Sequence, residues 1–115
     1  MKGYTDLEQS KKLSEFLPIE SSDMNYWCGT QIRIGGYRAM DKDLDIPCWS
    51  LAALLDVLNK TAYFMDEDAS VNLSSYKTIE WDLGIDNSDL ELVTESNPVD
   101  ACYEMIIKLH EQKLL

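Results

Sequence analysis

Histidine is nearly absent from this chain: His110 is the only one among 115 residues. Metal chemistry would therefore rest on carboxylates, none of which has a diagnostic spacing, and a cysteine nucleophile would have one imidazole to draw on. Cysteine is scarce as well. Cys28, Cys48 and Cys102 are odd in number and widely spaced, which fits neither a disulfide framework nor paired C-x-x-C zinc ligands, so reduced thiols are expected. Basic residues are few, with 10 Lys and Arg against 21 Asp and Glu, a net charge of −11. A surface of that sign repels phosphates, so direct nucleic-acid binding is not expected, whereas a basic protein partner would be attracted. Long apolar runs are missing too. None reaches the roughly 18 to 20 residues of a membrane span, and the opening MKGYTDLEQSKK lacks the apolar stretch of a signal peptide, so a cytoplasmic protein without membrane contact is expected. Of the five glycines only Gly35 and Gly36 are adjacent, and they lack the further glycine and lysine of a phosphate-cradling loop. No cofactor is expected.

What is present is enough apolar material, 45% of residues, to bury one core without staples, and a single domain over residues 1–115 is expected. The chain is organised around Ile46 to Leu58, interrupted only by Ser50 and Asp56, which reads as a central helix surrounded by protein, capped by Ser50 and ending near Asn59. Thr5-Asp6-Leu7-Glu8 matches a capping box, and the helix it starts should end at Leu17 before Pro18. Asn97-Pro98 with Asp100 starts a last helix whose apolar face carries Ala101, Cys102, Met105, Ile106 and Leu109. Between these lie strand signals. Gln31 to Met40 reads as a hairpin about Gly35-Gly36, or as one strand with a glycine bulge. Thr61 to Met65 is rich in β-formers, Val71 to Tyr76 reads as another strand, and Thr78 to Ile85 alternates cleanly, with Leu90 to Leu92 as its partner beyond an Asp86-Asn87-Ser88 turn. Short turns favour antiparallel pairing. The expected architecture is α+β, an antiparallel sheet of about four to five strands with about three helices on one face.

The acidity is regional: residues 61 to 100 carry ten acids against Lys77 alone, a local balance of −9. On the expected sheet Glu80, Asp82 and Glu91 would lie on the uncovered face, a candidate surface for a basic partner. Of the aromatic residues, Trp49 and Trp81 read as core, whereas Tyr26 and Trp27 form a second candidate binding patch. Asp41, Asp43 and Asp45 start like a calcium loop, but Ile46 stands where the turn needs glycine and Ala52 where a bidentate glutamate is needed. Asp66 to Ser70 fails the same test. Solvated loops account for both. Cys28, beside Trp27 and Gly29, has Gln31 where a redox motif would place its second cysteine, and a Cys28–His110 pair is weaker than the reading of His110 as a surface residue near a helix end.

Three segments, Glu8 to Leu13 (EQSKKL), Pro47 to Leu55 (PCWSLAALL) and Asn97 to Met105 (NPVDACYEM), together resemble a group of small acidic proteins of gut bacteria and their prophages or other mobile elements. The likeness covers both ends and the middle of the chain but not residues 61 to 95. It implies a setting on mobile DNA; the group has no assigned activity and offers no catalytic residues to carry over. Regional charge without catalytic equipment favours a non-enzymatic interaction module for a basic partner. A DNA mimic that inhibits a host nuclease or restriction enzyme is a second reading, although −9 over forty residues is sparse beside one charge per about 1.7 Å of duplex. A small enzyme using Cys28 or carboxylates is the third. The oligomeric state is not readable from these features.

Overall fold

The computed structural model describes residues 2–27, 31–34, 45–76 and 80–115. Its class is α+β: three helices, α1 (Leu7–Ser14), α2 (Leu51–Met65) and α3 (Pro98–Glu111), with a short 3-10 turn at Ile19–Ser21. The six strands among the described residues are β1 (Met24–Trp27), β2 (Gln31–Ile34), β3 (Ile46–Cys48), β4 (Val71–Tyr76), β5 (Glu80–Ile85) and β6 (Val93–Glu95). They form two three-stranded antiparallel sheets, ordered β2-β1-β3 and β4-β5-β6, where the sequence suggested one sheet. The chain divides into two compact units, residues 3–53 and residues 54–115 with 1–2.

In the first unit α1 packs against β3. The helix is capped one residue later than its sequence suggests: Asp6 Oδ1 accepts from Gln9 N at 2.8 Å and Gln9 Oε1 accepts from Asp6 N at 3.1 Å. Thr5 does not cap because it is fully buried and already engaged. Its amide donates to Trp49 O at 2.9 Å and its hydroxyl lies 2.7 Å from Ser10 Oγ. Regular helix stops at Ser14, and Leu17 follows in a further turn, its amide donating to Leu13 O at 2.8 Å. Trp49 has no exposed surface and its indole donates to Ser21 Oγ at 2.9 Å, as befits a core tryptophan with one polar atom to satisfy. The expected hairpin turn at Gly35-Gly36 lies outside the described residues, as does 37–40; β2 pairs with β1, Trp27 opposite Gln31 and Met24 opposite Ile34.

Ser50 begins α2, its Oγ accepting from Ala53 N at 3.2 Å, and its own amide is held by Asp23 Oδ1 at 2.9 Å. The helix does not end near Asn59. It runs to Met65, so the strand expected at 61–65 is overturned: Leu54, Val57, Leu58, Thr61 and Ala62 continue one buried stripe at helical spacing, and Thr61 accommodates itself by donating to Val57 O at 2.8 Å. Nor is α2 enclosed on every side. Asp56, Asn59, Lys60, Tyr63 and Phe64 form its exposed face.

In the second unit α3 packs against β5 and β6. Asn97 caps it, accepting from Asp100 N at 2.9 Å through Oδ1 and donating to Asp100 Oδ2 at 2.7 Å, with Pro98 in the first helical turn. Replacing Asn97 by alanine is expected to cost about 1 kcal/mol, read as a lower urea midpoint at unchanged slope. Leu83 and Ile85 occupy the buried phase of β5, while Trp81 is half-buried. The partner strand is β6, three residues beyond the start expected at Leu90: Leu83 faces Val93, Asp82 faces Thr94 and Trp81 faces Glu95. The chain first turns through Asn87, at φ 58°, then passes close to β5, where a Cβ on Gly84 would stand 3.1 Å from Leu92 Cδ1.

Candidate interaction surface

The three acids expected on one sheet face are not brought together. Glu80 and Asp82 share a phase of β5, the first exposed and the second half-buried, accepting from Thr94 Oγ1 at 2.7 Å. Glu91 precedes β6 rather than lying on a strand, and its side chain is 90% exposed with Lys108 Nζ at 3.9 Å. The expected aromatic pair separates as well, because adjacent strand residues point to opposite faces. Tyr26 is buried and its hydroxyl donates to Thr5 O at 2.8 Å. Burial, followed by Cys48, Tyr4 and Asp6 nearby, pushes that hydroxyl up to about 12. Trp27 is 40% exposed. Of the pair, only Trp27 presents a ring to solvent.

The described thiols are poor nucleophiles. Cys48 and Cys102 are free and fully buried. Burial alone raises the Cys102 thiol to about 12, and burial raises that of Cys48 against the opposing hydrogen bonds from Thr5 and Ser10. Both are protonated at neutral pH. Cys28 lies outside the described residues, and His110 Nδ1 is 3.0 Å from Leu115 O. Asp41 and Asp43 also lie outside them, while Asp45 Oδ2 accepts from Asn25 Nδ2 at 3.2 Å. Asp66 is turned to its own backbone, Oδ1 accepting from Asp68 N at 2.9 Å. Among the described residues no three His, Cys, Asp or Glu side chains are grouped as metal ligands would be.

A different surface emerges where α2 ends. Phe64 is 87% exposed and Tyr63 61%, their rings in an edge contact with centroids 6.4 Å apart. Aromatic surface of this extent on a well-formed helix has no role in the core, and large aromatics supply much of the energy of protein interfaces. One residue, Met65, separates Phe64 from Asp66-Glu67-Asp68. That turn is tied to the one at 86–89: Asp86 N donates to Ser70 O at 2.8 Å, Ser70 Oγ to Asp86 Oδ2 at 3.0 Å and Asn87 Nδ2 to Asp68 O at 3.2 Å. Asp66, Glu67, Asp68, Asp86 and Asp89 thus gather at one end of the second sheet, and among the described residues none of them has an ion-pair partner. A depression of ≈ 350 Å³ opens there, lined by Met65, Asn87, Ser88, Asp89, Leu90 and Leu114 among others. Comparisons with protein-family models, curated proteins and solved structures find no match. Geometry and charge alone therefore carry the functional argument.

This surface was readable in part. Following the buried stripe of α2 past Asn59 places Tyr63 on the far side of the helix from Leu58, Thr61 and Ala62, whereas Phe64, seven residues after the buried Val57, falls at the edge of the stripe and its exposure does not follow from the spacing. The β-propensity of TAYFM masked that periodicity. The meeting of the 66–70 and 86–89 turns had no such signal, since it depends on the register of β4 against β5, Val71 opposite Ile85.

Proposed function

We propose that the protein is a non-enzymatic interaction module that engages a basic protein partner through the acidic end of its second unit, with Phe64 and Tyr63 as apolar anchors. The observation that carries this reading is the exposure of those two rings next in sequence to carboxylates that have no ion-pair partner among the described residues. Charge steers encounter and selects the partner's sign, while buried aromatic area supplies most of the affinity. Neither part suffices alone: five surface acids in salt are worth little, and two rings discriminate poorly. Glu80 and Asp82, farther along β5, extend the negative field, and Trp27 offers a separate aromatic contact in the first unit.

The test is affinity capture from host lysate at low and high salt, with two variants as controls. Phe64→Ala and the triple change Asp66→Asn, Glu67→Gln, Asp68→Asn both lie on the surface and are expected to keep stability within about 0.5 kcal/mol. Each should weaken a salt-sensitive complex by about tenfold or more. Retention of the complex by both variants, or no complex at any salt, defeats the reading.

A further inference from the structure

Of the strands that edge the two sheets, three carry an obvious protection against pairing with another chain. β3 is three residues long and contains Pro47, which has no amide to donate; β2 carries Arg33; β6 is three residues long and ends in Glu95. β4 has none of these. It is six residues long, reads VNLSSY without charge, proline or glycine, and keeps an unbroken register with β5 from Val71 opposite Ile85 to Tyr76 opposite Glu80. Its one strand partner among the described residues is β5, and among them no hydrogen bond beyond that ladder involves residues 71–75. Asn72, Ser74 and Ser75 are exposed. In an antiparallel pair alternate residues turn their N–H and C=O outward, so among the described residues the side of β4 away from β5 presents a row of main-chain donors and acceptors in strand geometry.

From this we infer that the open edge of β4 takes up an extended segment of the basic partner as an added strand, an inference that rests on the reading of the protein as a module for such a partner. Charge decides the occupant. The strand begins beside Asp66, Glu67, Asp68 and Asp86, and at its other end Ser74 and Tyr76 stand opposite Asp82 and Glu80. The start of the edge is therefore acidic and the strand itself is neutral, while at its other end Lys77 follows in sequence and the acids belong to β5. An incoming strand with lysine or arginine at alternate positions gains most beside the 66–68 and 86 carboxylates, whereas a second copy of this chain, at −11, brings its own acids against them. Main-chain pairing supplies affinity and the alternate basic side chains supply selection.

The experiment uses the intact protein, isotope-labelled, with a peptide of about eight residues alternating lysine and valine, the length of an ordinary strand. A second peptide of the same sequence is N-methylated at alternate residues, which preserves charge and removes donors along one side. Amide hydrogen exchange and chemical shifts are read residue by residue. The expected result is slowed exchange at alternate residues of β4 with the first peptide and at least about tenfold weaker binding of the second, for the loss of two or three main-chain hydrogen bonds. Equal binding of both peptides with shifts confined to residues 66–68 and 86–89 overturns the strand inference and leaves the charge reading standing. Absence of binding by either peptide at low salt overturns both, and slowed exchange of β4 in the protein alone, rising with its concentration, makes a second copy the occupant and overturns the proposal. Ser74→Pro and Ser75→Pro separate edge from fold, since adjacent amides point to opposite sides of the strand. One of the two loses a bond to β5 and melts lower; the other keeps its melting temperature and is expected to lose the peptide. Unchanged peptide affinity in the variant that keeps its melting temperature also overturns the inference.

Discussion

Replacing Trp49 by alanine is expected to destabilise the protein by about 3–5 kcal/mol, a large share of the roughly 5–15 kcal/mol available to a chain of this size. The residue has no exposed surface, and its three polar groups are all engaged in holding segments together. Its amide donates to Thr5 Oγ1 at 3.2 Å, its carbonyl accepts from Thr5 N at 2.9 Å, and its indole donates to Ser21 Oγ at 2.9 Å. Ser21 Oγ in turn donates to Pro18 O at 2.6 Å, so the indole closes a chain of bonds across the turn after α1. Alanine leaves the backbone bonds formally intact but opens a large cavity and strips Ser21 of its donor. Trp49→Phe fills most of the cavity and should cost about 1–3 kcal/mol, the smaller ring and the missing indole bond together. Trp27→Ala, at an exposed position, should stay within about 1 kcal/mol. Urea denaturation followed by circular dichroism orders the three; a Trp49→Ala variant as stable as Trp27→Ala would show that the first unit does not depend on this core.

How much of this was legible in the sequence depends on whether a signal was local. Asn97-Pro98 specifies the start of α3 with three residues and no help from the rest of the chain, and the α3 apolar stripe follows at its period. Ser50 announces α2 in the same way. By contrast, whether Thr5 or Asp6 caps α1 is decided 44 residues away, by Trp49, which claims the Thr5 hydroxyl and amide. A sequence window of four residues cannot see that claim. The strand at 61–65 failed because intrinsic β-propensity is weak beside the cooperative extension of a helix whose buried stripe continues. The displacement of β6 from Leu90 to Val93 has the same origin in tertiary structure: Leu90 and Leu92 alternate with Glu91 as a strand would, yet Leu92 remains 58% exposed and only the approach at Gly84 shows where the segment passes. The acidic face suffered from that shift. Glu91 was placed by a strand that starts two residues after it, whereas the surface that gathers acids and rings is made by turns, whose meeting follows from strand register.

At alkaline pH the protein should lose stability in a window to which two buried acids, Cys102 and Tyr26, contribute alongside Cys48. The Cys102 thiol is raised by burial from 9.0 to about 12, and the Tyr26 hydroxyl from 10.0 to about 12. Both are acids held neutral in the folded state, so below the unfolded values, near 9 and 10, their contribution to stability is fully present. As pH rises beyond those values the unfolded chain releases protons that the folded chain still holds, and unfolding becomes progressively more favourable up to about 12. Three pKa units at Cys102 correspond to roughly 4 kcal/mol by the top of the window. The melting temperature should therefore be flat with respect to these groups up to about pH 8 and fall steeply from 9 to 12. Cys102→Ala separates the thiol from every other group titrating there. It lowers stability at all pH values by removing buried volume, but its curve should fall less steeply than that of the parent between 9 and 12. Parallel curves would mean that the thiol ionises as freely in the folded protein as in the unfolded chain, which a side chain without exposed surface does not allow unless α3 opens first. Hydrogen exchange of the α3 amides at pH 10 distinguishes that opening from global unfolding, because a helix that opens alone loses protection while β5 retains it.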